Sequence, residues 1–387
     1  MEVTYEDKQI NLQKEKNKIL VLTSSFPVGS WIPIEKILEE LSSDNAKILI
    51  VGLGKIDHRN KKFSYFSIPY PSYDHWGHIT LNPIIALLWN FPLFLVSIII
   101  LVTFRPRVVI SNGFVSILGI APFLKLLKVR LAVIFNGYFY LEGVSRHITN
   151  ILCKSVDLVI VNSRGSLKNV LQIIPHEKVI INEHHADDLF FEGPIKTRSN
   201  GPFTILYVGR IDEGKLCFPL LGIANQLKNS KEFLFLFVGG GRDVDLVKSL
   251  ERRSNNTKHL GYVSDRLKLK ELYQTSDIVW SSADETYLGI PAVEALACGT
   301  PIVIPEIAAL GDKIKKNVKI DKKMVPKKIG WLIDPFNSNE LLRLILKIKK
   351  SGISKKMREN CRDYARMRYS RKNLKRTVKG IHNLMYS

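Results

Sequence analysis

The stretch SSADETYLGIPAVEALACGTPIVIPE, residues Ser281–Glu306, determines how the second half of this chain is interpreted. A loop leads into a short Ala-rich helix, and Pro291 suits the first turn of that helix, where no N–H partner is needed. Gly299 ends the helix, and the apolar run Ile302–Ile304 follows at once as a buried strand. The segment DIVWSS, Asp277–Ser282, is predicted as another strand before the loop, and a helix between two strands is typical of a parallel α/β sheet.

The start of this helix has the properties of a phosphate site. The backbone N–H groups of Leu288, Gly289 and Ile290 stand at a helix N-terminus, where the helix dipole favours anions. Gly289 also allows a ligand to approach the backbone closely. Glu294 can accept two hydrogen bonds from a vicinal diol such as a ribose, so a nucleotide diphosphate fits the whole stretch. The alternative is structural, with Glu294 acting only as an acid that complements the helix dipole.

The alternation of strand, turn and helix continues along the chain from Lys18, which predicts an α/β protein with two doubly wound parallel sheets. The strands end in Gly, Asn or Ser, and ligands of open α/β sheets bind beyond these carboxyl ends. The segments predicted as strands, several of them quoted with the residues that end them, are KILVLTSSFP, AKILIVGLG, RVVISNG, RLAVIFNG and VDLVIVNS in the first half, and TILYVGR, FLFLFVGGG, KHLGYV, DIVWSS, PIVIP and GWLID in the second.

Composition limits the possible partners. The chain of 387 residues is long enough for two domains, and 45% hydrophobic with 24% charged residues is a globular composition. A formal net charge of +21 favours a polyanionic partner, either an anionic membrane surface or phosphorylated substrates. No nucleic-acid-binding motif is present, so nucleic acid is not expected. The four cysteines have no metal-ligand spacing, which predicts buried free thiols in a reducing compartment.

The uncharged segment 84–104 is close to the length that crosses a bilayer, but Asn90 and Pro92 interrupt it. A strand of the predicted sheet follows immediately, which favours a helix that dips into the membrane interface, with Leu95, Ile99 and Leu101 on its outer face. The apolar helix of 114–130 carries Lys125, Lys128 and Arg130 at its edge, and apolar insertion with basic charge is typical of peripheral membrane binding. An unusually apolar core helix is the alternative.

Two further motifs lie at strand ends in the second half. Arg210 and Lys215 follow the strand TILYV, and two cations near a helix start suit a diphosphate. The run Gly239–Gly241 follows the next strand and gives the backbone of Gly240 close approach to a ligand. By itself the glycine run is only a fragment of a dinucleotide fingerprint.

Taken together and in this order, the motifs YVGRIDEGKL, FVGGGRD, HLGYVSDRLKLKELYQTSDIVWSSA and TYLGIPAVEALACGTPIV resemble the nucleotide-sugar domain of glycosyltransferase family 4. The resemblance implies the GT-B fold of two Rossmann-like domains and a retaining transfer without a catalytic metal or other cofactor. It implies that Gly209, Arg210, Lys215 and Gly240 bind the donor diphosphate and that Glu294 holds the ribose. The phosphates and sugar would meet the backbone at Tyr287, Leu288 and Gly289.

The charged N-terminal residues, the polar, turn-rich stretch Glu192–Phe203 and the restart of the strand-helix alternation after it predict five segments in the chain. They are a flexible tail at 1–17, an N-terminal acceptor-binding, membrane-facing domain at 18–192, a linker at 193–203, a C-terminal nucleotide-sugar domain at 204–353, and a basic helix at 354–387. We expect the last helix to cross back to the first domain.

The sequence departs from the family at several positions. The family's first glutamate, which contacts the donor sugar, falls on Thr286, with Glu285 one residue earlier, so either residue could serve as the sugar contact. Asn136 stands where the family has a histidine, and an amide can bond a sugar hydroxyl but cannot supply a proton near neutral pH. Of the family's Gly-rich loop after the first strand, only Gly29 and Ser30 match in kind.

Two smaller features are interpreted structurally, and one loop departs from the family. His184 and His185 are expected to be loop histidines, and the pair Asp187–Asp188 is expected to cap a helix because no third metal ligand lies nearby. The stretch IAALGDKIKKNVKIDKKMVPKKIG replaces a short turn of the family with a longer, strongly basic one.

The predicted activity is retaining transfer of a sugar from a nucleotide-diphosphate donor, either a UDP- or a GDP-sugar, with Glu285, Arg210 and Lys215 as catalytic residues. The expected acceptor is a lipid-linked glycan at an anionic membrane surface, on a protein that is cytoplasmic and peripherally bound. Two alternatives stay open: a GT-B sugar-nucleotide epimerase, and a non-catalytic GT-B partner subunit.

Overall fold

A computed structural model describes residues 17–23, 28–43, 46–54, 60–69, 90–117, 120–135, 150–151, 153–195, 201–283, 287–310 and 313–386. The chain divides into two compact units. The first unit comprises residues 1–182 together with 374–387, and the second comprises 183–373.

The first unit contains a parallel sheet in the order β3-β2-β1-β4-β5-β6-β7. Its strands are β1 (Lys18–Thr23), β2 (Lys47–Leu53), β3 (Ser64–Ile68), β4 (Val108–Asn112), β5 (Arg130–Phe135), β6 (Leu158–Val161) and β7 (Val179–Ile181). Its helices are α1 (Val28–Ser43), α2 (Phe91–Phe104), α3 (Ala121–Leu126) and α4 (Arg164–Val170). The sheet order reverses direction beside β1, as in doubly wound folds.

Both faces of this sheet are covered, because alternate residues of each strand point to opposite sides. Ile19 and Val21 of β1 belong to one buried cluster with residues of α1. Leu20 and Leu22 belong to another cluster with residues of α2 and α3. The continuous apolar strands predicted from the sequence are therefore explained by burial on two faces.

The second unit contains a parallel sheet in the order β10-β9-β8-β11-β12-β15, with helices on both faces. Its strands are β8 (Phe203–Val208), β9 (Phe233–Val238), β10 (Thr257–His259), β11 (Ile278–Trp280), β12 (Ile302–Pro305), β13 (Ile307–Leu310), β14 (Lys313–Lys319) and β15 (Gly330–Ile333). Its helices are α5 (Asp188–Phe191), α6 (Phe218–Gln226), α7 (Val244–Arg252), α8 (Arg266–Thr275), α9 (Ile290–Ala297), α10 (Ser338–Ser351) and α11 (Lys355–Tyr369). The predicted pair of Rossmann-like parallel-sheet domains is confirmed.

The last helix, α12 (Lys372–Tyr386), returns to the first unit, as expected. Its residues Leu374, Ile381 and Met385 are buried in the same cluster as Ile19 and Val21 of β1. The basic segment 354–387 is thus two helices, since α11 belongs to the second unit. The units divide after Asn182, so the segment 193–203, predicted as a linker, falls within the second unit.

Helix α2 covers the second part of the uncharged segment, whose residues 84–89 lie outside the described ranges. Among the described residues, no helix is both long enough and apolar enough to cross a membrane. Leu93, Ser97, Ile100 and Leu101 form the buried face of α2. The expectation that Leu101 lies on the outer face is therefore wrong, because its side chain is only 3% exposed and packs in the core.

The basic stretch after β12, predicted to be longer than the turn that the resemblance implies, forms an antiparallel hairpin of β13 and β14. Ile307 of β13 packs with Leu216, which follows the 3₁₀ turn Glu213–Lys215. All four cysteines are buried free thiols, as predicted from their spacing.

Candidate functional site

The carboxyl ends of β8 and β9 are joined so closely that only glycine fits between them. Gly239 has φ +130°, and a Cβ atom there would lie 2.0 Å from the carbonyl oxygen of Gly209. Gly241 has φ +154°, and its Cβ would lie 2.3 Å from the carbonyl oxygen of Ile211. The two strand ends therefore lie side by side, and the glycines there have no side chains to cover the backbone.

Hydrogen bonds fix the geometry of this glycine loop, residues Gly239–Gly241. The Ile211 N–H donates to the Gly240 carbonyl at 2.8 Å, and the Gly239 N–H donates to the Gly261 carbonyl at 2.8 Å. The Gly239 carbonyl lies 2.8 Å from Nε2 of His259 on β10. Gly240 itself faces open space, because a Cβ there would have no neighbour within 4 Å. A ligand can therefore approach the backbone at Gly240.

Arg210 and Lys215 both contact the buried residue Asp212, which lies between them in the sequence. The Arg210 Nε is 3.3 Å from Oδ2 of Asp212, and the Arg210 side chain is 52% exposed. Lys215 closes the 3₁₀ turn, and its N–H donates to the Asp212 carbonyl at 3.1 Å. The Tyr207 hydroxyl donates to the Arg210 carbonyl and so anchors the backbone of that residue. The two predicted cations are thus held in one loop at the end of β8.

Helix α9 begins at the same edge of the sheet, after β11. Gly289 is the N-cap residue in an extended conformation, and a Cβ there would lie 3.1 Å from the Ser282 carbonyl. Its own carbonyl accepts from the N–H groups of Ala292 and Val293 at 3.0 and 3.1 Å. An antiparallel bridge between Ala283 and Leu288 closes the loop before it. The helix N-terminus thus lies at the carboxyl edge, beyond which ligands of such sheets bind.

Glu294 is almost completely enclosed, with 3% of its surface exposed. Its Oε2 accepts a hydrogen bond from the Tyr273 hydroxyl at 3.0 Å, and its Oε1 lies 2.9 Å from Nη2 of Arg266. Burial raises the pKa of this carboxyl group, and the Arg266 charge and both hydrogen bonds oppose that rise. The role of Glu294 as a ribose ligand stays a prediction, because α8 already supplies partners to both of its oxygens.

Arg266 contacts the predicted site residue Glu294, and sequence reasoning missed it. Its guanidinium lies over the ring of Phe190 at 4.6 Å and pairs with Glu294. Asp265 caps α8 by accepting from the N–H groups of Leu267 and Lys268, which places Arg266 at the first helical position. That capping aspartate was a signal for the helix start, but no spacing in the sequence shows that α8 and α9 meet there.

His184 is close to the predicted phosphate loop. Its ring makes an edge-to-face contact with Tyr287, with ring centroids 5.3 Å apart. Burial, and secondly His185, lowers the pKa of His184 to about 4. Asp187 stands at the N-cap position of α5 as predicted, although its side chain accepts no cap hydrogen bond there.

Other predicted site residues are described partly or not at all. Gly29 and Ser30 lie in the first turn of α1, the helix that follows β1 in the sequence, and only their backbone is described. Glu285, Thr286 and Asn136 lie outside the described residues, so their roles stay predictions. Within the described ranges, no three His, Cys, Asp or Glu side chains cluster as a metal site would require. The metal independence of the reaction also stays a prediction.

Comparison with known proteins adds a family match in the second unit. Residues 192–368 match the model of the family described as Glycosyl transferases group 1. No curated protein sequence matches the chain significantly.

Solved structures resemble the chain over nearly its whole length. A glycosyltransferase from Rickettsia africae ESF-5 has 17% identity and a TM-score of 0.72, covering 96% of this chain and 98% of its own. A sucrose-phosphate synthase from Thermosynechococcus elongatus has 13% identity and a TM-score of 0.73, covering 95% and 98%. Alr3699/HepE from Anabaena, solved in complex with UDP, has 17% identity and a TM-score of 0.67, covering 95% and 99%.

The TM-scores of these structures show a shared fold, and at such low identities the similarity shows the fold alone. The two parallel-sheet units have the GT-B fold, and the second unit carries a Glycosyl transferases group 1 domain, the domain of enzymes that transfer glycosyl groups.

Proposed function

We propose that the protein is a retaining, metal-independent glycosyltransferase that moves a sugar from a UDP- or GDP-sugar to a lipid-linked glycan. The observation that carries the donor part is the gathering of three phosphate-binding features at one sheet edge. These are the cations Arg210 and Lys215, the bare glycine loop at Gly240, and the N-terminus of α9 at Gly289. Anabaena HepE, which has the same fold, was solved with UDP-glucose, and this supports a nucleotide-sugar donor.

The chemistry of this proposal depends on charge at the leaving group. The bond between the anomeric carbon and the β-phosphate oxygen breaks while the acceptor oxygen bonds to the same face of that carbon. The acceptor hydroxyl gives its proton to the departing phosphate, so no separate base is needed. The guanidinium of Arg210, the ammonium of Lys215 and the α9 N-terminus would stabilise the diphosphate charge that develops. Such fixed positive groups take the part that a metal ion plays elsewhere.

The sugar and acceptor contacts follow from the family resemblance. Either Glu285 or Thr286 would contact the donor sugar from the loop before Tyr287. In the first unit, Gly29, Ser30 and the amide of Asn136 are the groups proposed for the acceptor.

Nucleotide binding tests the donor part directly. Thermal unfolding and titration calorimetry would measure the binding of UDP, GDP, ADP and their sugars to three proteins. These are wild type, the double variant Arg210→Ala with Lys215→Ala, and the single variant Lys248→Ala. Lys248 is an exposed cation of α7 and serves as the matched control. A ligand at one hundred times its Kd stabilises by about 2.7 kcal/mol, which gives a measurable rise in Tm. We expect that rise with one base, in wild type and the control, and its loss in the double variant.

The same assay distinguishes other chemistries. A nucleotide sugar that is converted without any acceptor would indicate an epimerase instead of a transferase. If wild type bound no nucleotide, the donor proposal would be rejected. A product that keeps the anomeric configuration of the donor, formed in the presence of EDTA, is the expected result for a retaining, metal-independent transfer.

The acceptor part rests on an exposed apolar surface in the first unit. Phe91, Leu95, Ile99 and Val102 recur along one side of α2 and are 53%, 47%, 63% and 60% exposed. Helix α3 and the turn after it continue this surface with Phe123, Leu126 and Leu127, which are 43%, 79% and 49% exposed. The rings of Phe94 and Phe123 lie 6.0 Å apart and connect the two helices. We name these seven exposed side chains the apolar ridge.

Positive charge borders the apolar ridge. Lys125 and Lys128 are exposed beside Leu126 and Leu127, and Arg105 is exposed directly after α2. A bilayer with anionic headgroups satisfies both features, because the apolar side chains insert while the cations meet phosphates. We therefore propose peripheral binding at the cytoplasmic face of a membrane, where a polyprenyl-linked glycan would serve as acceptor.

Liposome flotation tests the ridge. The change is Leu95→Ser, Ile99→Ser and Val102→Ser together, and the matched control is Leu246→Ser, Leu267→Ser and Leu346→Ser, three exposed leucines of the second unit. Wild type and the control are expected to float with vesicles of phosphatidylcholine and phosphatidylglycerol, and the ridge variant is expected to remain at the bottom. Equal flotation of both variants would reject the ridge as the membrane surface.

A further inference from the structure

The Glu294 carboxylate is covered by another side chain, so it presents little surface to a ligand. Only 3% of the residue is exposed, and its two oxygens are engaged by Arg266 at 2.9 Å and by Tyr273 at 3.0 Å. Tyr273 is itself fully buried and forms an edge-to-face contact with Phe190 at 5.9 Å. A ribose that reached Glu294 directly would first have to displace a paired guanidinium from a stacked position.

Arg266, in contrast, is accessible. Its side chain is 32% exposed although one edge is paired with Glu294 and one face lies over Phe190 at 4.6 Å. A guanidinium has five N–H donors in a fixed fork, so the single close contact from Nη2 to Glu294 leaves further donors on the same group. Ion pairing and ring stacking together hold this fork in one orientation, which lowers the entropy lost when it binds a ligand.

The surroundings of Arg266 connect it with the glycine loop. Tyr262 is 65% exposed and directly follows Gly261, whose carbonyl accepts from the N–H of Gly239. Partial burial raises the pKa of Tyr262, and the positive charge of Arg266, four residues further along the chain, opposes that rise. An exposed aromatic ring thus directly follows the residue that is bonded to the glycine loop, and an oriented guanidinium begins the next helix, where it contacts Glu294 in the helix whose N-terminus is proposed to hold the diphosphate. Aromatic faces stack on bases, and guanidinium groups donate to base carbonyls and to hydroxyl oxygens.

We infer that Arg266 is a further donor-binding residue, which contacts the nucleoside of the bound nucleotide through its remaining N–H groups while Glu294 holds it in place. This inference rests on the proposed function, since it assigns a contact within the same donor site. Glu294 then acts as a positioning residue for Arg266. Arg266 recognises the nucleoside by donating hydrogen bonds to it. The carboxylate of Glu294 alone could only accept them.

The test distinguishes binding of the nucleoside from binding of the diphosphate. Calorimetric titrations would measure the Kd of UDP and GDP, and of inorganic pyrophosphate, which lacks the nucleoside. The variants are Arg266→Gln and Arg266→Lys, with Lys268→Gln as the matched control, since Lys268 is an exposed cation two residues further along α8. Arg266→Lys keeps the charge but removes the planar fork.

We expect Arg266→Gln to weaken binding of the preferred nucleoside diphosphate by about ten- to hundred-fold, the effect of one lost charge-assisted hydrogen bond. Pyrophosphate binding should stay unchanged, Arg266→Lys should be intermediate, and the control should match wild type. Unchanged nucleotide binding by Arg266→Gln, or an equal loss for pyrophosphate, would overturn the inference. Failure of wild type to bind any nucleotide would instead reject the proposed function on which it rests.

A second variant guards against misfolding. Removing Arg266 alone leaves Glu294 buried without its cation, which can destabilise the unit. The double variant Arg266→Gln with Glu294→Gln removes both charges and is expected to fold, with weak nucleotide binding like Arg266→Gln. Recovery of wild-type affinity in this double variant would show that Arg266 only neutralises Glu294, and the inference would be wrong.

Discussion

The side chain of Arg362 on α11 reaches the carboxyl end of α9, where its Nε donates to the Ala297 carbonyl at 3.2 Å. Its Nη1 also donates to the Gly193 carbonyl at 2.8 Å. The last carbonyl groups of a helix have no partners within that helix and carry the negative end of its dipole. Arg362 thus stabilises the helix that carries Glu294 from the end opposite to the proposed phosphate site.

Replacing Arg362 by Met is expected to lower the free energy of unfolding by about 2–4 kcal/mol, because buried carbonyl groups lose a charged donor. Calorimetric unfolding would measure this change. The control is Arg366→Met, one turn further along α11, where the side chain is exposed and the expected change is within about 0.5 kcal/mol. Equal effects of both substitutions would contradict the capping role.

Gly239 and Gly240 offer a matched pair of alanine substitutions. Gly239→Ala places a Cβ 2.0 Å from the Gly209 carbonyl in a left-handed conformation, so it is expected to lower the Tm clearly. Gly240→Ala meets no atom within 4 Å and is expected to keep the wild-type Tm.

Nucleotide titration completes this comparison. If the open space at Gly240 is where the diphosphate meets the backbone, Gly240→Ala should weaken UDP or GDP binding without loss of stability. A Gly240→Ala variant with wild-type affinity would show that the ligand does not approach this residue closely.

The low pKa of His184, about 4, predicts a defined pH dependence of stability. The unfolded chain binds a proton near pH 6.5 and the folded protein only near pH 4, so the folded state loses stability as the pH falls between these values. The loss at pH 4 is about 3 kcal/mol for this group. In His184→Gln this dependence should disappear, while His176→Gln, at an exposed histidine, should keep it. Urea unfolding between pH 4 and 7 would measure the difference, and parallel curves for all three proteins would refute it.

Substitutions of two other glycines distinguish the effect of a positive φ angle from the effect of a steric clash. At both Gly222, on the exposed side of α6, and Gly352, an added Cβ would have no neighbour within 4 Å. Only Gly352 has a positive φ angle, +68°. Gly222→Ala is expected to stabilise by about 0.5–1 kcal/mol through helix propensity, and Gly352→Ala to destabilise by about 1 kcal/mol. Thermal unfolding of the two variants checks the signs, and shifts of the same sign would contradict the assignment of backbone strain to Gly352.

The sheets could be predicted from the sequence because their strands are buried on both faces and read as continuous apolar runs. The parallel order of β8 and β9 brings their carboxyl ends to one edge, so the location of Arg210 and Gly240 at that edge could be predicted, while their roles toward a ligand stay predictions. The position of Arg266 beside Glu294 could not be predicted, because their contact depends on how closely α8 approaches α9. Sequence spacing does not encode that distance.

The exposed face of α2 could not be predicted from the sequence either. The helix FPLFLVSIIILVTF is apolar all round, so periodicity cannot distinguish the buried Leu101 from its exposed neighbour Val102. The division of the basic C-terminal segment into α11 and α12 was also missed, since both helices have the same charged, amphipathic composition.

The return of α12 to the first unit determines when that unit can finish folding on the ribosome. Gly380 lies so close to β7 that a Cβ there would be 2.4 Å from Ile180 Cδ1, and about two hundred residues separate these partners along the chain. The second unit is one continuous segment, whereas the first waits for the final helix to be synthesised. Until then the apolar side chains of Leu158 on β6 and Ile180 on β7 lack the cover that α12 gives them in the finished fold.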